Sequence, residues 1–242
     1  RVVVDQLPEL DGTCLVLLQA GNVNTGAYDD FDQVCDLANK AGAWVHIDGA
    51  FGLWAAACQS LKYLTKGMEK ADSWAVDGHK TLNTPYDSGI ILCRHPKAMI
   101  TALQASGDYI TYTDQREPIL YGPEMSKRSR AIELWATMKY LGKAGIDEMI
   151  TGFNTRAKQL AEGLSKVGFT VLNEVVFNQV LIRCEEEEKT RSVLAYAQQS
   201  GECWMGGTTW QGKAAIRISV CSWRTSAADI VQTIAILERG IE

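Results

Sequence analysis

Two short strand-like runs that each close on an aspartate constrain this chain more than any other feature. Trp44–Ile47 runs into Asp48, and Ala71–Val76 runs into Asp77-Gly78-His79-Lys80. Such runs, stopped by polar turns, read as strands buried in a sheet. Cys14–Ala20, bounded by Gly21-Asn22, reads as a fully buried strand, and Gly89–Cys93 as a fourth. Between the first strands lies Tyr28–Ala41. Its Phe31, Val34, Leu37, Ala38 and Ala41 fall at helical spacing, with Asp29 and Asp30 near the start. Alternation of strand, helix and strand predicts an α/β fold with a parallel or mixed sheet. Open sheets of this kind bind ligands beyond the C-terminal ends of their strands, where Asp48 and Lys80 are expected.

Further along, Ile100–Pro123 reads as a long loop holding Gly107-Asp108-Tyr109. Arg130–Leu141 and Ile146–Val167 read as helices, the first with Ile132, Leu134, Trp135, Met138 and Leu141 available for packing. The pattern then changes. Phe169–Leu172, Gln179–Cys184, Cys203–Thr209 and Ala214–Val220 read as strands, and Thr190–Gln199 and Ala227–Glu238 as helices. Two domains are therefore expected: residues 1–150 with the larger sheet, and 151–242 as a smaller α+β unit. Trp44, Trp54, Trp74, Trp135, Trp204, Trp210 and Trp223 are expected mostly in the core, with Trp54 a candidate for lining a pocket. The acidic run Glu185–Lys189 reads as a solvated turn or helix start.

Composition narrows the function classes. A net charge of -5 gives no footing for a nucleic-acid partner. The 7 cysteines lack metal-ligand spacing and sit mostly in apolar runs, which predicts no structural zinc and a reducing cytoplasm. No apolar run is long enough for a membrane span, so no membrane partner is expected. Arg1-Val2-Val3-Val4 leads almost at once into core-like sequence and reads as a chain entered in mid-domain.

A lysine just beyond a buried strand can lose solvation, and its amine can then form a Schiff base with an aldehyde. A strand-end aspartate can pair with a cationic ring nitrogen. Taken singly, spacing favours plainer readings: a turn lysine at Lys80 and a helix-capping or turn aspartate at Asp48. His46 shares a strand face with Asp48; it either orients that carboxylate or is a satisfied strand histidine, the preferred reading. His95, before Pro96, reads as a helix-start residue.

Taken together and in order, these segments resemble the group II pyridoxal-phosphate-dependent amino-acid decarboxylases. His46-Ile47-Asp48-Gly49-Ala50-Phe51-Gly52 is similar to their HxDAAxGG segment. Ala71-Asp72-Ser73 followed by Asp77-Gly78-His79-Lys80 is similar to their ADS…(N/D)xHK segment. Asn22 to Asp29 lies in a stretch that resembles GTTxxGxxD, and Ser126-Lys127-Arg128-Ser129-Arg130 through Leu134-Trp135 resembles SRRxRxxKLW. Ala215 to Cys221 resembles the small-domain segment near the family's C-terminus. DAA is Asp48-Gly49-Ala50 here and HKW is His79-Lys80-Thr81, which points to a divergent, bacterial-type branch.

The resemblance implies a fold-type I α/β architecture and decarboxylation of an L-amino acid through a Schiff base on Lys80. It implies that Asp48 pairs with the cofactor's ring nitrogen, that Ala50 packs under the ring, and that Asn22 lies near its phenolic oxygen. His79 is expected near the phosphate or the reacting centre. Asp77 replaces a frequent Asn and, as a carboxylate, is not expected on the phosphate unless paired. Arg217 is expected either to meet a substrate carboxylate or to form a structural ion pair. Tyr109, with Tyr112 as a rival, is expected to be the loop tyrosine that returns a proton across a dimer interface. Complete members carry an N-terminal part with the ring-stacking histidine, the phosphate-cradling turn and a dimer-clasping arm. The chain thus resembles the C-terminal half, and is expected to bind pyridoxal phosphate poorly alone, as a homodimer of the complete enzyme or associated with a missing N-terminal segment. Alternatives are an aminotransferase, lyase or desulfurase on the same scaffold, or a non-catalytic fragment.

Overall fold

The computed structural model describes residues 1–241 other than 105, 106, 108 and 109. The first sheet is ordered β1 (Leu15–Gln19), β2 (Trp44–Asp48), β3 (Ser73–Asp77), β4 (Gly89–Cys93). The first three strands are parallel, and β4 runs antiparallel to β3. This is the mixed α/β sheet that the strand–helix alternation predicts. Helix α1 (Phe31–Ala41) starts later than spacing suggests, because the Asp30 carboxylate accepts the Gln33 N–H at 3.0 Å and caps it. Its Phe31, Val34, Cys35 and Ala38 are buried. Helix α2 (Pro96–Leu103) takes up the start of the expected loop, with Pro96 at a helix-opening position where its missing N–H costs nothing.

Helix α3 (Ala131–Lys166) is two rods joined at Gly142, whose backbone is non-helical (φ 59°, ψ -173°). The second sheet follows: β5 (Thr170–Val171), β6 (Gln179–Arg183), β7 (Gly206–Trp210) and β8 (Lys213–Ser219), ordered β5-β6-β8-β7 and antiparallel throughout. Helices α4 (Glu187–Ser200) and α5 (Ala227–Ile241) complete it.

Two hydrophobic cores result. One gathers Val16, Leu18, Phe31, Val45 and Ile47 and reaches Ile146 and Ile150 on α3. The other gathers Val180, Ile182, Ile216 and Ile218 with Ala157, Leu160 and Leu164 of α3. One helix therefore passes from the first core into the second.

Two expectations need correction. β1 is not fully buried: Val16 and Leu18 are, but Leu15 and Leu17 are 60% and 62% exposed. α1 and the short turns beside it cover only one face of the first sheet. The tryptophans are also less buried than expected, for Trp135, Trp204 and Trp223 are exposed. On the first rod of α3, Leu134 and Leu141 pack against the core while Ile132, Trp135 and Met138 face outward.

Candidate active site

Register brings the two aspartate-ended strands to one edge. Asp48 lies beside Gln19 on β1 and Ala75 on β3. Side chains alternate along a strand, so Leu15, Leu17, Gln19, His46, Asp48, Ser73, Ala75 and Asp77 share a face. That face is open at Leu15, Leu17 and Asp48.

The Asp48 carboxylate is exposed, and its Oδ1 accepts the Ala50 N–H at 3.1 Å. The turn that follows closes tightly on β1. Gly52 donates its N–H to the Ala20 carbonyl at 3.0 Å, and its own carbonyl accepts the Tyr28 hydroxyl at 2.9 Å. A Cβ at Gly52 would lie 2.4 Å from the Tyr28 Oη and 2.6 Å from the Ala20 oxygen, so only glycine fits.

Lys80 Nζ sits 2.8 Å from Asp77 Oδ2 and 4.4 Å from the centroid of the Phe51 ring. The Thr81 hydroxyl donates to the Phe51 carbonyl at 2.6 Å, which stitches the lysine turn to the Asp48 turn. His79 Nδ1 accepts the Ser88 N–H at 2.9 Å. A nitrogen that accepts an N–H carries no proton, so the neutral ring has its proton on Nε2. That nitrogen lies 3.5 Å from Asp77 Oδ2. Asp77 thus faces both Lys80 and His79, and the carboxylate left doubtful by the sequence is paired.

Asn22 is committed to its own turn. Its Oδ1 accepts the Asn24 and Thr25 N–H groups at 3.0 and 3.2 Å, and its Nδ2 donates to Gln19 Oε1 at 2.8 Å. Arg217 reaches the same turn from the second sheet, donating from Nη1 to the Val23 carbonyl at 3.2 Å. Arg217 therefore ties the second sheet to the turn that follows β1 through a backbone carbonyl, and it forms no ion pair among the described residues. Tyr109 lies outside the described residues; Tyr112 is half-buried.

His46 behaves as a strand histidine. Its Nδ1 is 2.8 Å from the Ser73 hydroxyl, which also accepts the Trp44 indole N–H at 2.9 Å. Burial pushes its pKa below the ordinary histidine value, against the pull of the Asp48 charge. His95 precedes α2, as expected, and its Nε2 meets Asp72 Oδ1 at 3.0 Å. Trp54 donates to the Asp77 carbonyl at 2.9 Å and packs on the first core. Among the described residues no cluster of His, Cys, Asp or Glu could hold a metal ion, and no helix is long and apolar enough to cross a membrane.

Sequence reasoning missed Asn83. Its Nδ2 donates to the Lys80 and Thr81 carbonyls, both at 3.1 Å, and to the Cys221 carbonyl at 2.7 Å. Its Oδ1 accepts the Trp223 N–H at 2.9 Å, so one side chain ties the lysine turn to the C-terminal segment. The sequence marks only a turn here, with Asn83 just before Thr84-Pro85; in the structure Asn83 takes φ 58°, a conformation asparagine tolerates in turns. Behind Asn83 lies a cavity of about 650 Å³, lined also by Leu141, Met149, Arg156 and Trp223. Neither Asp48 nor Lys80 lines it.

Comparison with known proteins bears on the family and the fold. The family model described as the pyridoxal-dependent decarboxylase conserved domain matches residues 11–185. An aromatic-L-amino-acid decarboxylase of Bacillus atrophaeus is 31% identical over 156 residues, covering 62% of this chain and 32% of that protein. Its counterpart in Drosophila lebanonensis is 26% identical over 215 residues, covering 87% and 53%. In fold, the chain is similar to Oryza sativa TDC with PLP and tryptamine at a TM-score of 0.87 and 21% identity, over 94% of this chain and 50% of that one. Mouse CSAD in apo form superposes at 0.86, also with 21% identity, over 94% and 52%. The chain thus spans about a third to a half of the length of the curated relatives it matches.

Proposed function

This chain belongs to the pyridoxal-dependent decarboxylase family, and from that premise we propose that it forms part of an enzyme removing carbon dioxide from an L-amino acid. One observation carries the reading: a carboxylate, Asp48, and an amine, Lys80, stand at the ends of neighbouring strands on one open sheet face. The residues fit the ring and aldehyde end of pyridoxal phosphate. Asp48 offers an oxygen that no described residue engages, and Lys80 offers an amine beside an aromatic ring.

When bound, pyridoxal phosphate supplies an aldehyde that takes up amines and a protonated ring that draws electrons from a breaking bond. Asp48 would hold the ring nitrogen through one carboxylate oxygen, the other being steadied by the Ala50 N–H. Lys80 would supply the amine that holds the aldehyde, with Asp77 2.8 Å away to hold a proton. His79 offers an N–H from Nε2 and not a basic nitrogen, because Nδ1 is taken by Ser88. Ala50 would pack under the ring, while Asn22 keeps to the neighbouring turn. Arg217 presents the rest of its guanidinium to a substrate carboxylate. Tyr109, or Tyr112 as the alternative, would be the residue that supplies a proton to the substrate. The relatives' names make aromatic amino acids the first substrates to try.

The same reading sets residues 1–150 as part of the cofactor-binding domain and 151–242 as the small domain, supported by the two cores that share α3. Parallel strands are normally covered on both faces. The open face carrying Leu15 and Leu17 is accordingly where a further N-terminal segment or a second copy is proposed to lie, in a cytoplasmic homodimer.

The test is to add pyridoxal phosphate to the chain, alone and with the full-length protein as reference, reduce with borohydride and map the modified lysine. A stable adduct on Lys80, with carbon dioxide released from an amino acid by the full-length protein, is the expected result. An adduct on another lysine, or none in either sample, overturns the assignment. A keto acid in place of the amine moves the reading to an aminotransferase.

A further inference from the structure

His79 is held by contacts that reach back to a distant stretch of the chain. The Tyr86 ring covers the imidazole at 4.0 Å between centroids and 38° between planes. Ser88 takes the imidazole edge with its N–H, and the Ser88 carbonyl accepts the Gly78 N–H at 2.8 Å. A Cβ at Gly78 would lie 2.7 Å from Ser88 Oγ and 2.8 Å from Thr84 Oγ1, so the two turns meet without room for a side chain. The 86–88 turn thus grips His79 by face and edge.

Tyr86 itself is exposed, and an exposed ring keeps such a stack only if its backbone is fixed. Asp87 supplies that fixing. Its Oδ1 receives Arg128 Nη2 at 2.6 Å, and its Oδ2 receives Arg130 Nε at 2.8 Å. Arg128 Nη2 also donates to the Tyr86 carbonyl at 3.0 Å. Arg130 Nη1 is held in turn by Glu124 Oε2 at 3.2 Å. A lone exposed ion pair contributes little, but one carboxylate held at both oxygens by two guanidiniums is an oriented network. Hydrogen bonding to Arg130, the Asp87 backbone and the charges of Arg130 and Arg128 also hold the Asp87 carboxyl below the usual carboxylate range.

We propose that Arg128, Asp87 and Arg130 form a latch that positions His79 through Tyr86 and Ser88, fixing its proton on Nε2 toward Asp77 and Lys80. These are positioning residues, since none touches Lys80. The segment carrying the two arginines lies at the foot of α3, so whatever seats that segment also sets the surroundings of the lysine. The proposal deepens the pyridoxal reading at Lys80, yet the tautomer it predicts exists without any cofactor.

Nitrogen NMR of the imidazoles, on the chain without cofactor, reads it directly, because the chain has only 3 histidines. In the unaltered chain His79 is expected as a single form with a bare Nδ1 and a protonated Nε2. Asp87→Ala and Tyr86→Ala are each expected to average the two His79 nitrogen signals, leaving His46 and His95 unmoved. Asp87→Glu and Tyr86→Phe are expected to keep them apart. The rate at which borohydride traps pyridoxal on Lys80 should fall severalfold in Asp87→Ala and recover in Asp87→Glu. Unmoved His79 signals in both alanine variants overturn the latch, whatever the pyridoxal result. A missing adduct with the tautomer shift present sinks only the cofactor reading. If Asp87→Ala unfolds, shown by loss of the His46 and His95 signals as well, Arg128→Gln and Arg130→Gln decide: fixed His79 signals in both overturn the proposal.

Discussion

The two sheets are built on opposite plans. The second, β5 to β8, turns Val180, Ile182, Ile216 and Ile218 into its core, and on its other face Gln179 and Leu181 are also buried. The first covers one face and leaves Leu15 and Leu17 in the open beside His46 and Asp48. The sheet that is closed contributes Arg217 at its rim, while the sheet that is open carries the amine and carboxylate. Chemistry sits where strands end and side chains face outward. Stability sits where both faces are filled.

That contrast can be broken in order of expected effect. Replacing Asp48 with Asn keeps shape but removes the charge proposed to face the ring nitrogen. Amine formation by the full-length protein should fall on the order of 100-fold, the scale of losing one preorganised electrostatic contact, and an unchanged rate would remove Asp48 from the site. Ile182→Ala in the closed sheet should cost about 2–5 kcal/mol in urea unfolding, because a fully buried side chain leaves a cavity. Gly52→Ala should cost about 1–3 kcal/mol by forcing the Asp48 turn off Ala20 and Tyr28, read in the same titration. Leu17→Ala on the open face should change the stability of this chain by no more than about 0.5 kcal/mol, while weakening any association across that face. A Leu17 cost equal to that of Ile182 would show the open face to be covered in solution.

The smallest effect is one of pH. Hydrogen bonds from Lys66 and Lys70 hold the Asp32 carboxyl down at about 2. A carboxyl depressed in the folded state stabilises above its unfolded pKa of about 3.9, and loses that contribution as pH falls through the folded value. Asp32→Asn should therefore flatten the stability profile slightly between about pH 4 and 2, and leave neutral pH almost unaltered. A profile parallel to that of the unaltered chain would remove Asp32 from the acid response.

What was legible without coordinates followed from local rules. Apolar runs, helical spacing and the breaks at polar turns determined strands, helices and the sheet edge at which Asp48 and Lys80 lie, since each depends on near neighbours in the chain. Asn83, the Tyr86–His79 stack and the reach of Arg217 to Val23 were not legible, for each joins residues whose closeness depends on how whole elements pack. The openness of the first sheet also escaped the sequence. An apolar run announces that a strand prefers cover, but only tertiary structure decides which faces receive it: Val16 and Leu18 join Phe31 and Val34 of α1 in the first core, and no described element covers Leu15 and Leu17 in the same way.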